Sequence, residues 1–284
     1  MQARMQFLLS MAIFGSIGLF VRYIPLPSSE IAFLRGVVGS LFLLAVLLAM
    51  KQRLAWAVLR ENLVFLLIAS GALCGNWIFL FQAFKNTSIS NAVLCYYSAP
   101  MFLVLLSRVL LRETISPKKT ACIACALLGI ALIVNSGRHG GGGQHHLLGI
   151  ASGLAAAAFY AVLMATNKFI RGLSGLQSTL IQLGLTTLLL LAYALLAGEL
   201  RPFSIGGPVF PFILALGIVH TGIGFFLFFS GMQSLKGQTI AALSYVDPLT
   251  ALVLSAVILR EPLTLLQCAG GALVLGSTFV SERN

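Results

Sequence analysis

The run LCYYSAP at Leu94–Pro100, continuing to Leu111-Arg112-Glu113, returns in the second half of the chain as LSYVDP at Leu243–Pro248, continuing to Leu259-Arg260-Glu261. At an offset of 148 residues Tyr97 meets Tyr245, Pro100 meets Pro248, and Arg112-Glu113 meets Arg260-Glu261. The same offset aligns Phe79-Leu80-Phe81 with Leu227-Phe228-Phe229. Offsets of 147 align Arg35 with Gln182 and Gly129 with Gly276. Self-similarity at one spacing means that the chain carries a duplicated unit.

The repeated runs are embedded in long apolar stretches. With 59% hydrophobic and 9% charged residues and a mean hydropathy of +1.00, against roughly 25% charged residues in soluble domains, lipid is the expected solvent. Apolar runs bounded by charge, proline or glycine predict helices near 5–22, 30–50, 62–84, 91–111, 119–135, 147–168, 176–197, 209–232, 239–259 and 263–280. The fold class expected is therefore an all-α polytopic membrane protein with ten transmembrane helices. Five helices separate the two copies, and five is odd, so equivalent motifs face opposite sides of the bilayer. The expected domains are residues 1–136 and 147–284, two inverted five-helix repeats, joined by a Gly/His-rich linker at 137–146.

The net charge of +11 sits mainly in short connections, which reads as topology control and not as a nucleic-acid interface. With the N-terminus inside, the inner loops collect Arg4, Lys51, Arg53, Arg60, Arg108, Arg112, Lys118, Lys119, Lys168, Arg171, Lys236 and Arg283. The outer side holds Arg22, Arg35, Lys85, Arg138, Arg201 and Arg260. Twelve against six places both termini in the cytoplasm of a bacterial inner membrane. Cys122 and Cys125 form a CxxC within an apolar helix, where packing is the expected role. His139, His145 and His146 flank Gly140 to Gly143 without carboxylates or cysteines, so a solvated linker is expected and no metal. No cofactor motif is present.

The two Y-x-x-P runs, each followed by Leu-Arg-Glu and a final glycine-containing helix, resemble the EamA domain of the drug/metabolite transporter superfamily over essentially the whole chain. The resemblance implies a pseudo-twofold transporter in which helices 1–4 and 6–9 surround a central cavity while 5 and 10 are peripheral. One departure is that Ala99 stands where the second copy has Asp247, so charge-dependent chemistry is asymmetric.

Asp247 is the acid predicted to lie within the hydrocarbon core, about 13 Å along helix 9 at ~1.5 Å per residue, where a carboxylate faces a cavity or a partner. Pro248 cannot donate an N–H and frees the carbonyl of Ser244. Ser244, Asp247, Ala251 and Ser255 share one face. Asp247 is read as binding a substrate ammonium or a coupling proton, with a neutral structural Asp as the alternative. His220, between Gly217 and Gly224, is a second candidate for substrate or proton binding. Arg35 either attracts an anionic group, pairs with Glu30 or snorkels. Tyr97, Tyr245, Tyr160 and Trp77, with Asn76 and Gln82, lie on helices expected to line the cavity, and aromatic walls with a few polar groups suit an amino acid or an organic cation. Gln182, Thr179 and Thr186 read as an interhelical polar face.

Inverted repeats around a midplane site are the architecture of secondary transporters. The expected function is alternating-access export or exchange of a small metabolite such as an amino acid, with proton exchange at Asp247 as one means of coupling, by a chain able to act as a monomer. The alternatives are a channel or passive facilitator and an intramembrane enzyme. HExxH, GxSxG and a nucleotide-binding loop are all missing from the sequence, which argues against an enzyme or ATP-driven pump.

Overall fold

The computed structural model describes residues 2–51, 56–110, 116–139, 145–167, 169–197, 209–232, 235 and 243–282. Arg53, Arg112, Glu113, Gly140 to Gly143, Lys168, Arg201, Lys236 and Arg283 lie outside the described residues.

All regular structure among the described residues is helical. Eight stretches are long and apolar enough to cross a membrane. They are α1 (Gln2–Gly15) with α2 (Ile17–Arg22), α3 (Ser28–Ala49), then, past the short α4 (Trp56–Glu61), α5 (Leu63–Asn86). Next come α6 (Ile89–Tyr96) with α7 (Ala99–Leu110), α8 (Pro117–His139), α9 (His146–Asn167) and α10 (Gly175–Leu196). The eighth runs from α11 (Phe210–Leu214) through a π-helical segment (Ala215–Ile223) into α12 (Gly224–Met232). Two shorter apolar helices, α13 (Val246–Val257) and α14 (Leu265–Glu282), complete the described chain. Side chains such as Leu41, Leu48, Leu188 and Leu196 are exposed, an arrangement that suits contact with lipid and not water.

Three of the helices expected to be continuous are interrupted. The first, predicted over 5–22, breaks at Ser16, whose hydroxyl and amide both bond to the carbonyl of Ile13. The fourth, predicted over 91–111, breaks at Tyr97–Ser98 because Pro100 cannot donate to the carbonyl of Tyr96. Backbone groups freed inside a membrane need other partners, and two carbonyls beside the break accept from side chains: Ser98 Oγ donates to the Cys95 carbonyl at 2.6 Å and Thr278 Oγ1 to the Tyr97 carbonyl at 3.4 Å. Pro248 imposes the same interruption on the helix predicted over 239–259, where a turn at Tyr245 separates helical residues 243–244 from the helix that begins at Val246.

The helices pair across the middle of the chain. The most extensive pairings are α5 with α9, α8 with α14, α1 with α12 and α3 with α10, and α6 and α7 lie on α9 as α13 lies on α1. Counting the apolar helices in chain order, with α13 and α14 ninth and tenth, these are 3 with 6, 5 with 10, 1 with 8, 2 with 7, 4 with 6 and 9 with 1. Adding five to each member returns the same set, as a pseudo-twofold relation between the halves requires. α8 and α14 meet through Gly129 and Gly270, where a Cβ on either would come within 2.6 Å of the other's carbonyl oxygen. Such small-residue contacts let membrane helices pack backbone to backbone.

The expected His-rich linker is shorter at both ends, since α8 runs to His139 and α9 begins at His146. His146 is the first residue of α9, buried, with Nδ1 2.9 Å from Thr87 Oγ1. His139 ends α8 and His145 is exposed. All five cysteines are free, with Cys122 buried and Cys125 exposed.

At the end of the bundle where α5 begins, buried Asn62 grips the backbone of Arg171, donating to its carbonyl at 2.9 Å and accepting from its amide at 3.0 Å. Asn62→Ala removes both bonds and orphans a backbone amide and carbonyl, so it is expected to cost about 1–3 kcal/mol, read as a lowered thermal midpoint in detergent.

Candidate functional site

The interruptions before α7 and before α13 bring two repeated tyrosine–proline runs to one place. Tyr97, at the C-terminal end of α6, hydrogen bonds through its hydroxyl to the carboxylate of Asp247 in the first turn of α13. The same hydroxyl lies 3.5 Å from the carbonyl of Ser244, the acceptor that Pro248 leaves without its helical donor.

Tyr96, Tyr97 and Tyr160 stand close enough to Asp247 to interact with it electrostatically. Their rings pack together, Tyr96 with Tyr97 at 6.0 Å and Tyr96 with Tyr160 at 5.4 Å between centroids. All four residues are partly exposed. Asn76 on α5 is buried and donates to the carbonyl of Ala156 on α9 at 2.8 Å. It also interacts with the Tyr96 side chain.

A second polar group faces this cluster from α3. Arg35 is only 3% exposed, which excludes snorkelling, and its guanidinium carbon lies 4.4 Å from the Trp77 ring centroid and 5.6 Å from that of Phe81. Its Nε donates to Thr221 Oγ1 at 2.7 Å. Glu30, the partner considered from sequence, interacts instead with Lys85. Arg35 interacts electrostatically with Tyr96 and His220.

Thr221 and His220 owe their positions to the π-helical segment. Thr221 Oγ1 donates to the Leu216 carbonyl at 2.9 Å and His220 Nδ1 lies 3.0 Å from the Ala215 carbonyl, both five residues back, as the wider turn demands. Since a carbonyl only accepts, Nδ1 carries the proton. Nε2 then faces Ser16 Oγ at 2.9 Å, and the ring lies edge-on to Phe20 at 4.6 Å. π-turns inside α-helices are frequent at functional sites.

The structure gathers Asp247, Tyr97, Tyr160, Asn76, Trp77 and Arg35 into one connected cluster, with His220 attached through Arg35. Tyr245 packs edge-on against Phe279 of α14. The Gln82 side chain makes no hydrogen bond to the cluster among the described residues, and its backbone carbonyl accepts from Asn86 at 2.7 Å. Gln182 holds Asn167 and Ser178, each through Nε2 at 2.8 Å, an interhelical role as expected. Tyr96, Thr221 and Ser16 join the site without having been singled out. For the first two, the neighbours in sequence, Tyr97 and His220, were the available signal.

Comparison with known proteins agrees with this architecture. The model of the EamA-like transporter family matches residues 3–135 and again 147–282. The uncharacterized transporter YxxF of Bacillus subtilis (strain 168) is 34% identical over 257 residues, covering 90% of this chain and 81% of its own. An uncharacterized transporter of Archaeoglobus fulgidus is 29% identical over 281 residues, covering 97% and 94%. A crystal structure with 23% sequence identity superposes with a TM-score of 0.65 over 98% of this chain and 96% of its own, which speaks to the fold. The protein is a multi-pass membrane transporter and not an enzyme, and with both of its halves matched the chain belongs to the EamA-like transporter family.

Proposed function

We propose that the chain is a secondary active carrier that moves a small zwitterion such as an amino acid by alternating access. The observation that carries this reading is a pair of opposite charges left unpaired with each other in the bundle interior. Asp247 and Arg35 flank Tyr96, and no salt bridge joins them among the described residues. A substrate ammonium fits Asp247 and the tyrosine faces, and a substrate carboxylate fits Arg35. Isolated charges in a membrane are costly and are kept for function.

The remaining elements of the proposal follow the repeat. Residues 1–136 and 147–284 act as two inverted five-helix units, with the shorter α13 and α14 supplying spans nine and ten. Both termini lie in the cytoplasm of a bacterial inner membrane, and one chain suffices to complete the cavity. Export or exchange, with a proton released at Asp247 or His220, suits these groups.

The test is counterflow in liposomes loaded with single amino acids or the corresponding amines and acids lacking one charge. Saturable counterflow of the zwitterions, and not of both singly charged analogues, supports the reading. Non-saturable flux means a pore. Tyr97→Phe removes the hydroxyl shared by Asp247 and Ser244 and leaves the ring, so counterflow is expected to fall about tenfold, the equivalent of roughly 1.4 kcal/mol, with little change in stability.

A further inference from the structure

The repeated Leu-Arg-Glu run is not used by the site, yet its second copy ends in a built constellation. Arg260 adopts φ 54°, a left-handed conformation that is costly for a residue with a Cβ. This turns Glu261 back on its helix, with its amide donating to the Ser255 carbonyl at 3.2 Å. The Glu261 carboxylate, only 14% exposed, accepts from the amide of Ile89 at 3.0 Å and from the hydroxyl of Ser255. Ser90 Oγ donates to Ser255 Oγ at 3.0 Å. Arg22, at the end of α2, donates to the carbonyls of Phe84 at 2.7 Å and Thr87 at 3.1 Å, and its guanidinium reaches Glu261 at 3.8 Å.

The ion pair itself is long and its Arg22 side is 40% exposed, so it contributes little. The hydrogen bond to Ile89 matters more. Ile89 is the first residue of α6, so a carboxylate from the second half of the chain sits on the positive end of a helix from the first. The other end of α6 carries Tyr96 and Tyr97 in the site. α13 has the same design in reverse, with Asp247 in its first turn and Ser255 and Glu261 at its far end. Two short helices therefore each place one end on the site and the other in this constellation, and they pack on each other between the two.

We propose that Glu261, seated on the N-terminus of α6 and bridged by Arg22, is a latch that holds α6 and α13 together at the Arg22 end of the bundle. While it is closed the site opens only toward the opposite end, where Asn62 and Arg171 lie. Its release lets α6 and α13 part and exposes the site from the Arg22 end. The latch rests on the alternating-access reading but not on the identity of the substrate.

Hydrogen exchange by mass spectrometry on the full chain in nanodiscs, without substrate, tests it. In Glu261→Ala, peptides spanning 84–91 and 250–258 are expected to exchange about tenfold faster, and peptides spanning 62–66 and 162–167 about threefold slower. The reciprocal change is the diagnostic, since simple loosening would speed both ends. Arg22→Gln, whose side chain is half exposed, gives the same pattern at smaller amplitude and decides the matter if Glu261→Ala does not fold. Acceleration confined to 258–262, or equal at both ends, overturns the latch. A reciprocal change in a protein that shows no counterflow keeps the latch and discards the carrier reading.

Discussion

Asp247→Asn is expected to lower the initial rate of amino-acid counterflow about 100-fold, equivalent to roughly 2.7 kcal/mol, within the range measured for removing one partner of a buried, hydrogen-bonded charge pair. Asparagine has nearly the same shape and its amide oxygen still accepts the Tyr97 hydroxyl, so the break before α13 and the packing of the tyrosines survive. What disappears is the charge that a substrate ammonium or a coupling proton requires. Burying an unpaired carboxylate costs stability in the empty protein. The thermal midpoint of the variant should therefore stay level or rise. Transport lost with stability retained separates a binding group from a structural one. Counterflow at the normal rate under every pH gradient would assign Asp247 to the framework and remove it from the site.

Gly15→Val is expected to fail in the opposite way, by loss of stability and transport together. A Cβ at Gly15 would overlap the carbonyl oxygen of Asp247 and lie 2.7 Å from Thr250 Cβ. The oxygen belongs to the backbone of α13 and cannot swing aside, so α13 must move off the first span and take Asp247 with it. Overpacking of this kind costs about 1–3 kcal/mol, to which a β-branched residue beside the break at Ser16 adds. Gly71→Val is the internal control, because a Cβ there meets nothing within 4 Å. The comparison is made by thermal unfolding in detergent and by counterflow. A Gly15→Val protein as stable and active as Gly71→Val would mean that the first span and α13 are not in close contact in the membrane.

The two outcomes bear on different links of the same chain of causes. Asp247→Asn tests the chemistry at the site, whereas Gly15→Val tests the approach of two backbones that places this chemistry there.

Much of this was legible in the residues. The Y-x-x-P duplication pointed to two units, and Pro248 in particular foretold that the Ser244 carbonyl would need a new donor, the role that Tyr97 fills at 3.5 Å. Arg35 was identifiable as an unusual charge, but its partner was not. Thr221 lies 186 residues away, and it reaches Arg35 because a π-turn rotates it there, a backbone choice with no local signature in Ala215–Ile223. Arg35 could not be distinguished from a snorkelling residue by its distance from the end of α3. The Trp77 ring beneath the guanidinium decides it. His146 was misjudged for the same reason, since its neighbours are glycines and histidines while its bonding partner, Thr87, belongs to the other half.

The amino-acid sequence by itself determined the solvent, the number and spacing of the apolar runs, the repeat, and the positions where proline would interrupt a helix, because these depend on composition and on contacts within a few residues. Only the tertiary structure decided which polar groups share a space: that Tyr97 meets Asp247, that Arg35 lies on Trp77, and that Glu261 caps α6. Those contacts join residues 42 to 172 positions apart. They are selected by how closely two helix backbones approach, at glycines such as Gly15, and no periodicity along one helix records the face of another.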